Sequence, residues 1–144
     1  MKRFITHAPE ETVALGKAFA ASLKPGDVVA LSGNLGSGKT LFVMGVCAGL
    51  GTRGHVSSPT FTLINEYPAS FGAVAHIDLY RIRTRAELAE LGIEEYFNDR
   101  TVALIEWAES MLDLLPPAHY RVKILAGDVE RDREISIRKV GEGE

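Results

Sequence analysis

The sequence predicts an α/β fold with a mixed, mostly parallel sheet flanked by helices and a carboxyl-terminal antiparallel hairpin. Three observations support this fold class. Short apolar runs alternate with segments of helical periodicity, which is typical of α/β proteins. A glycine-rich segment joins the first apolar run to an apolar helix. Near the carboxyl end, two stretches alternate apolar and polar residues around a turn, which is typical of a hairpin.

The first predicted elements are a helix, a strand and a second helix. Apolar side chains recur at helical spacing between Pro9 and Leu23, and "KPGD" ends that helix. The run from Val28 to Leu31 is short, apolar and preceded by a turn, which predicts a buried strand. The second helix is expected from about Lys39 to Leu50, where glycines stop it.

The remaining elements follow from shorter patterns. "TRGHVSSPT" predicts a loop, whereas "FTLINEY", "GAVAHID" and "TVALIEW" predict strands. "TRAELAELG" predicts a helix, because Thr84 and Glu87 form a capping box and Gly92 stops it. "AESMLDLLPP" predicts a short helix closed by two prolines. "YRVKIL" and "REISIRKV", with a glycine–aspartate turn between them, predict the hairpin.

Length and composition restrict the class of protein. The 144 residues suggest a single domain over residues 1–144. An apolar fraction of 46% and a formal net charge of −3 suit a globular protein without a general attraction to nucleic acid or membrane. No apolar run approaches the roughly 18 residues of a membrane span, and no secretory signal is recognisable. We therefore expect a cytoplasmic protein. The single cysteine, Cys47, excludes an intrachain disulfide and is expected to be buried.

The segment "LSGNLGSGKT" has the spacing of a phosphate-binding loop, with a strand before it and a helix after it. Its glycines let several backbone N–H groups point at one anion, and the start of the helix adds a positive dipole end. Lys39 is expected to reach the β- and γ-phosphates, and the Thr40 hydroxyl to hold Mg²⁺. The residues of this segment expected to bind the phosphates of a nucleotide are Asn34, Leu35, Gly36, Ser37, Gly38, Lys39, Thr40 and Leu41.

Two carboxylates are candidates for the acidic partner that such a loop needs near its metal ion. Asp78 ends "AVAHID" and Glu106 ends "VALIE". Carboxylates at the carboxyl ends of parallel strands open onto the same crevice as the loop. Either one alone could instead be a solvated residue where a strand leaves the core.

Several nucleotide-protein signatures are missing. The chain has no N-K-x-D or D-x-x-G pattern, which disfavours guanine specificity, and no "LSGGQ" signature of transporter ATPases. The arginines of "YRIRTRAE" suit either a kinase lid or a solvated surface. His55, His76 and His119 have no metal-ligand spacing, so core or surface roles are expected. A hydrolysing ATPase, a small-molecule kinase and a non-hydrolysing nucleotide-binding module all remain possible.

"GNLGSGKT", "SSPTFTLINEY", "HIDLYRI", "ELGIEEYF" and "ALIEWAE" occur in an order that closely resembles the bacterial TsaE (YjeE) family. The resemblance runs from about Glu11 to Glu109 and less specifically through the hairpin. It implies a small ATPase needed to form threonylcarbamoyladenosine on tRNA, next to the anticodon. The implied partners are TsaB and TsaD, while TsaC makes the threonylcarbamoyl-adenylate. Direct tRNA contact, self-association and the step driven by ATP stay open.

The resemblance also implies roles for single residues. It puts Thr40 and Glu106 at Mg²⁺ and makes Asp78 a second catalytic carboxylate, with Lys39 as the catalytic cation. Which carboxylate orients the attacking water stays open. Thr60 resembles a switch threonine that senses the γ-phosphate, although a turn residue after a proline is the plain alternative.

Two further residues are assigned to the nucleotide by the resemblance. Trp107 resembles the family tryptophan beside the nucleotide, and the alternative is an aromatic cap on the sheet edge. Arg131, near the hairpin turn, is expected on the adenine side. Two positions depart from the common family pattern, since Ser37 replaces an alanine and Leu41 replaces a threonine. Neither departure is expected to prevent phosphate binding.

Overall fold

A computed structural model of the chain describes residues 1–33, 37–54, 56 and 63–141. The strands are β1 (Lys2–Thr6), β2 (Val28–Ser32), β3 (Ile64–Ala69), β4 (Gly72–Asp78), β5 (Thr101–Glu106), β6 (His119–Ala126) and β7 (Arg133–Val140). The α-helices are α1 (Pro9–Ala20), α2 (Lys39–Leu50) and α3 (Arg85–Glu90), and 3-10 helices span Ile93–Tyr96 and Ala108–Leu114.

All of these strands belong to one sheet, in the order β1-β7-β6-β2-β5-β4-β3. The centre is parallel, because β2 pairs with both β5 and β6, and β4 pairs with β5. The edges are antiparallel: β7 pairs with β6, β1 with β7, and β3 with β4. The carboxyl ends of β2, β4 and β5 therefore lie side by side at the edge where α2 begins.

The sheet separates two apolar layers. On one face α1 and α2 cover the central strands, with Phe19, Phe42 and Cys47 in the core. On the other face α3 and the 3-10 helices cover them, with Leu88 and Met111 in the core. Covering both faces explains why β5 is buried at every position and why its sequence is almost continuously apolar.

Glycines set the close approach of α1 and α2. A Cβ atom at Gly45 would collide with the carbonyl oxygen of Val13, and one at Gly16 would collide with that of Phe42. The two helix backbones touch where a side chain would separate them. This contact seats α2 against α1 and thereby fixes the position of its amino end.

The predicted fold class is confirmed, and so are α2, β4 and the terminal hairpin of β6 and β7. Thr84 caps this helix as expected, because the Glu87 amide donates to Thr84 Oγ1 over 3.1 Å, and the Thr84 hydroxyl contacts the Glu87 carboxylate. Gly92 ends this helical segment in the left-handed conformation, with φ of 64°. Cys47 is buried as expected, and burial raises the pKa of its thiol to about 11.

Other local features add detail to the prediction or differ from it. Strand β1 was not predicted, because its five residues are mostly exposed and carry no clear alternation. Residues 108–114 form the expected short helix, which is of the 3-10 type and is interrupted at Met111. Helix α1 ends at Ala20, before the predicted Leu23. Strand β3 lies antiparallel at the far edge of the sheet. In the ranges that the structure describes, no helix is both long and apolar enough to cross a membrane.

Candidate functional site

The glycine-rich loop, residues 33–38, connects β2 to α2. Gly33 and Gly38 have φ angles of 144° and 101°, which side chains with a Cβ atom rarely adopt. Ser37 is buried, and its Oγ atom has no hydrogen-bond partner among the described residues. Lys39 and Thr40 begin α2, as the loop pattern predicted. The loop residues Asn34, Leu35 and Gly36 lie outside the described residues.

Lys39 is a buried cation, with 6% of its surface exposed. Its Nζ donates a hydrogen bond to the Gly33 carbonyl over 2.5 Å and lies 3.8 Å from the centroid of the Trp107 ring. Burial lowers the pKa of this ammonium, while the charges of Glu106 and Asp78 oppose the shift. The ammonium is therefore held beside the loop by a neutral carbonyl and an aromatic face, a setting that an incoming anion would improve.

Asp78 and Glu106 stand in register at the ends of neighbouring parallel strands. Glu106 is 4% exposed, and its Oε2 lies 2.5 Å from Nε2 of the fully buried His76. Asp78 is half-buried, and its Oδ1 accepts from the Tyr80 amide over 2.9 Å. Burial raises the pKa of Asp78, and this amide opposes the rise. The two carboxylates thus differ in setting, because one is clamped and buried while the other is partly open.

Trp107 directly follows β5 and has φ of 62°, the left-handed region in which aromatic residues are uncommon. Such a backbone costs on the order of 1–3 kcal/mol and persists only where its surroundings impose it. Here the Trp107 amide donates to the Leu31 carbonyl over 3.3 Å. The ring lies 5.0 Å from the Tyr80 ring, centroid to centroid, and also faces the Lys39 ammonium. Trp107 therefore lies at the loop rather than on a remote part of the sheet edge.

The hairpin reaches the loop through Arg133, which the sequence did not single out. Its Nε donates to the Ser37 carbonyl over 2.9 Å, and Nη1 donates to the carbonyls of Glu130 and Asp132. Arg131, expected on the adenine side, is exposed. It lines a recess of about 470 Å³ together with Leu41 and Arg133. The structure thus puts Arg131 and Leu41 close to the start of α2.

His76 and Tyr80 were also missed as site residues. The sequence held a signal for His76, because a residue two positions before Asp78 in a strand faces the same side of the sheet. No comparable signal connects Arg133 to Ser37, which are 96 positions apart. Thr60, the expected switch residue, lies outside the described residues, as does His55.

The oxygen donors at this edge suit a hard divalent cation. Thr40, Asp78 and Glu106 offer a hydroxyl and two carboxylates, the ligand types that Mg²⁺ prefers. Within the described residues, no group of three His, Cys, Asp or Glu side chains is arranged to hold a metal ion by itself. Mg²⁺ at nucleotide sites usually takes one or two protein carboxylates and completes its shell with phosphate and water. The donor set fits that arrangement.

Comparison with known proteins assigns the chain to a family. The family model described as "Threonylcarbamoyl adenosine biosynthesis protein TsaE" matches residues 6–135. A Bacillus subtilis protein named for that role is 46% identical over 134 residues, covering 92% of this chain and 82% of the relative. A Haemophilus influenzae protein of the same name is 38% identical, with 94% and 90% covered.

A solved structure shows the same architecture. The crystal structure described as Bacillus subtilis YdiB superposes with a TM-score of 0.82 at 38% identity, covering 97% of this chain and 86% of that one. Sequence and fold therefore agree on the assignment. The chain belongs to the TsaE family, whose members take part in the biosynthesis of threonylcarbamoyladenosine on tRNA.

Proposed function

We propose that this chain is a Mg²⁺-dependent ATPase that supports threonylcarbamoyladenosine formation on tRNA, acting with TsaB and TsaD. The observation that carries the proposal is the buried Lys39 ammonium at the start of α2, which pairs with a carbonyl and an aromatic face. Among the described residues it makes no ion pair. A phosphate between Lys39 and the glycine-rich loop would place an anion in direct contact with this ammonium.

The chain's own groups have separate tasks in this mechanism. Lys39 and the loop N–H groups bind the β- and γ-phosphates and stabilise the charge that moves during transfer. Thr40 and Glu106 would hold Mg²⁺, and the ion would supply positive charge that neutralises the phosphates. Asp78 would orient the attacking water, since it is more open than Glu106 and burial raises its pKa above that of a carboxyl in water, which favours accepting a proton.

Adenine is favoured over guanine because the sequence lacks the guanine-reading pattern. The recess lined by Arg131, Leu41 and Arg133 lies next to the start of α2, so it is the candidate location for the base or ribose. Arg133 would act indirectly there, because its Nε holds the backbone of Ser37 in place. Direct contact with tRNA is not part of the proposal.

Hydrolysis by the isolated chain is expected to be slow and to accelerate when TsaB and TsaD are present. No arginine is placed by motif as an internal finger, and an arginine supplied from outside contributes about 10³ to 10⁵ in rate in related enzymes. A partner could alternatively complete the site by ordering a loop around the γ-phosphate. The measurement is steady-state phosphate release at saturating ATP, for the chain alone and with both partners.

The same assay separates the competing functions. Free phosphate released without an added acceptor supports a hydrolase, whereas turnover only with a small-molecule acceptor supports a kinase. Nucleotide binding with no release in a single-turnover experiment supports a non-hydrolysing module. A fast isolated enzyme that the partners leave unchanged would contradict partner activation.

Trp107 is expected to report nucleotide binding through its fluorescence. It is the only tryptophan of the chain, and a phosphate that draws Lys39 toward itself would move the ammonium off the ring. Titration with ADP or ATP should therefore change the emission. Trp107→Phe is the control for the origin of the signal, and Tyr80→Phe keeps the neighbouring ring. If the emission does not change at concentrations where calorimetry detects nucleotide binding, Trp107 does not respond to the bound nucleotide.

A further inference from the structure

His76 connects two strands beneath the candidate site. It lies in β4, where it pairs in register with Leu104, while Asp78 pairs with Glu106. Its side chain therefore reaches diagonally across to Glu106, and Nε2 lies 2.5 Å from Oε2. Both side chains are buried, at 0% and 4% exposure. The contact is thus shielded from water.

The chemistry of the two groups determines which one donates. A carboxylate that binds Mg²⁺ does so in its ionised form and then only accepts hydrogen bonds, so in that state Nε2 of His76 carries the proton and donates it to Oε2. This leaves the second carboxylate oxygen, Oε1, free of His76. The last torsion of a glutamate side chain is broad, so a single strong donor decides how its carboxylate is turned.

We propose that His76 is a positioning residue. Its Nε2–H holds Oε2 of Glu106 and thereby presents Oε1 to the Mg²⁺ that accompanies the nucleotide. This inference rests on the proposed function, because it assumes that Glu106 serves a nucleotide-bound cation. Partners of this kind orient metal-binding carboxylates, and their loss typically lowers metal affinity by about 10- to 100-fold.

The competing explanation is that His76 only fills space in the core. Substitutions that retain or remove the hydrogen-bond donor distinguish this packing role from a positioning role. The amide nitrogen of glutamine can occupy nearly the place of Nε2, so His76→Gln retains the donor. His76→Leu has a similar bulk but no donor. If His76 only fills space, both variants should perturb the site to a similar extent. If His76 positions Glu106, the glutamine variant should bind Mg²⁺ with the nucleotide nearly as well as wild type, and the leucine variant should bind Mg²⁺ more weakly.

The test is calorimetric binding of ADP to the full chain, in excess EDTA and across a Mg²⁺ titration. We expect His76→Leu to need about 10- to 100-fold more Mg²⁺ for the Mg²⁺-dependent gain in affinity. Its affinity for ADP in EDTA should stay within about twofold of wild type, because the phosphate contacts of the loop are intact. His76→Gln should require nearly the wild-type concentration of Mg²⁺. If the leucine variant does not fold, His76→Asn replaces it, because its amide is too short to reach Oε2.

Two controls make the assignment specific. His119→Leu removes another buried histidine, at the opposite end of the central strands, where Nδ1 contacts the Pro116 carbonyl. It should leave the Mg²⁺ requirement unchanged. In a Glu106→Gln background, His76→Leu should add little further loss, because it acts through Glu106.

The possible failures are distinguishable. A His76→Leu variant with the wild-type Mg²⁺ requirement, or a His76→Gln variant as impaired as His76→Leu, would overturn this inference while the proposed function stands. A wild-type chain that binds no ADP with or without Mg²⁺ would overturn the proposed function and this inference with it.

Discussion

Replacing Lys39 with alanine is expected to reduce ATP turnover by about 10³-fold or more, with the fold intact. Losing one preorganised donor to a developing charge commonly costs about 10²- to 10³-fold, and Lys39 carries a full charge as well. The ammonium is buried beside the glycine-rich loop without an ion pair among the described residues. Its removal therefore relieves a desolvated charge and should not lower the thermal midpoint greatly.

The measurements for this variant are phosphate release, ADP affinity and thermal unfolding. Lys17→Ala is the matched control, because Lys17 is an exposed lysine near the end of α1. It should leave turnover and affinity unchanged. A Lys39→Ala protein that is folded and hydrolyses ATP at the wild-type rate would refute the phosphate-binding role of the loop.

Glu106→Gln and Asp78→Asn are expected to have large but different effects. Glu106→Gln should lower the Mg²⁺-dependent part of nucleotide affinity by about 10- to 100-fold, because an anionic ligand becomes neutral. Asp78→Asn should lower the rate of hydrolysis by about 10²- to 10⁴-fold, the usual contribution of a positioned base, and largely retain nucleotide affinity. The physical basis is the difference in burial and partners between the two carboxylates.

Calorimetry with and without Mg²⁺ measures the first effect, and single-turnover phosphate release measures the second. Glu66→Gln, at an exposed position of β3, controls for the general loss of a negative charge. Small and equal effects of both substitutions would contradict the roles assigned to these two carboxylates. If Asp78→Asn instead lowers the Mg²⁺-dependent affinity and Glu106→Gln lowers the hydrolysis rate, the two carboxylates have each other's roles in the same site.

The local elements were predictable where the signal lies within a few consecutive residues. The glycine-rich loop is contiguous, so its spacing alone predicts phosphate binding and a helix start, and the structure confirms the start of α2 at Lys39. The helix stop at Gly92 and the cap at Thr84 are local for the same reason. Strand β1 carried no such signal, because its stability comes from pairing with β7, more than a hundred positions away along the chain.

Two details that the sequence did not predict, the 3-10 type of one helix and the direction of β3, have physical causes of the same kind. Residues 108–114 have helical composition, yet the segment is short, starts from the left-handed Trp107 and meets an extended Leu115 before Pro116. The short length and the non-helical residues at both ends favour a 3-10 helix over an α-helix. The antiparallel placement of β3 depends on the short turn to β4, which brings the chain directly back along its neighbour.

By itself, the sequence determined the α/β class, the glycine-rich loop with Lys39 and Thr40, and the two strand-end carboxylates, because each depends on local periodicity or spacing. Only the tertiary structure decided which side chains meet them. His76 and Glu106 lie 30 positions apart, and Arg133 and Ser37 lie 96 apart, so strand order and register bring them together. Strand order depends on burying both faces of one sheet, a property of the whole chain that no short segment contains.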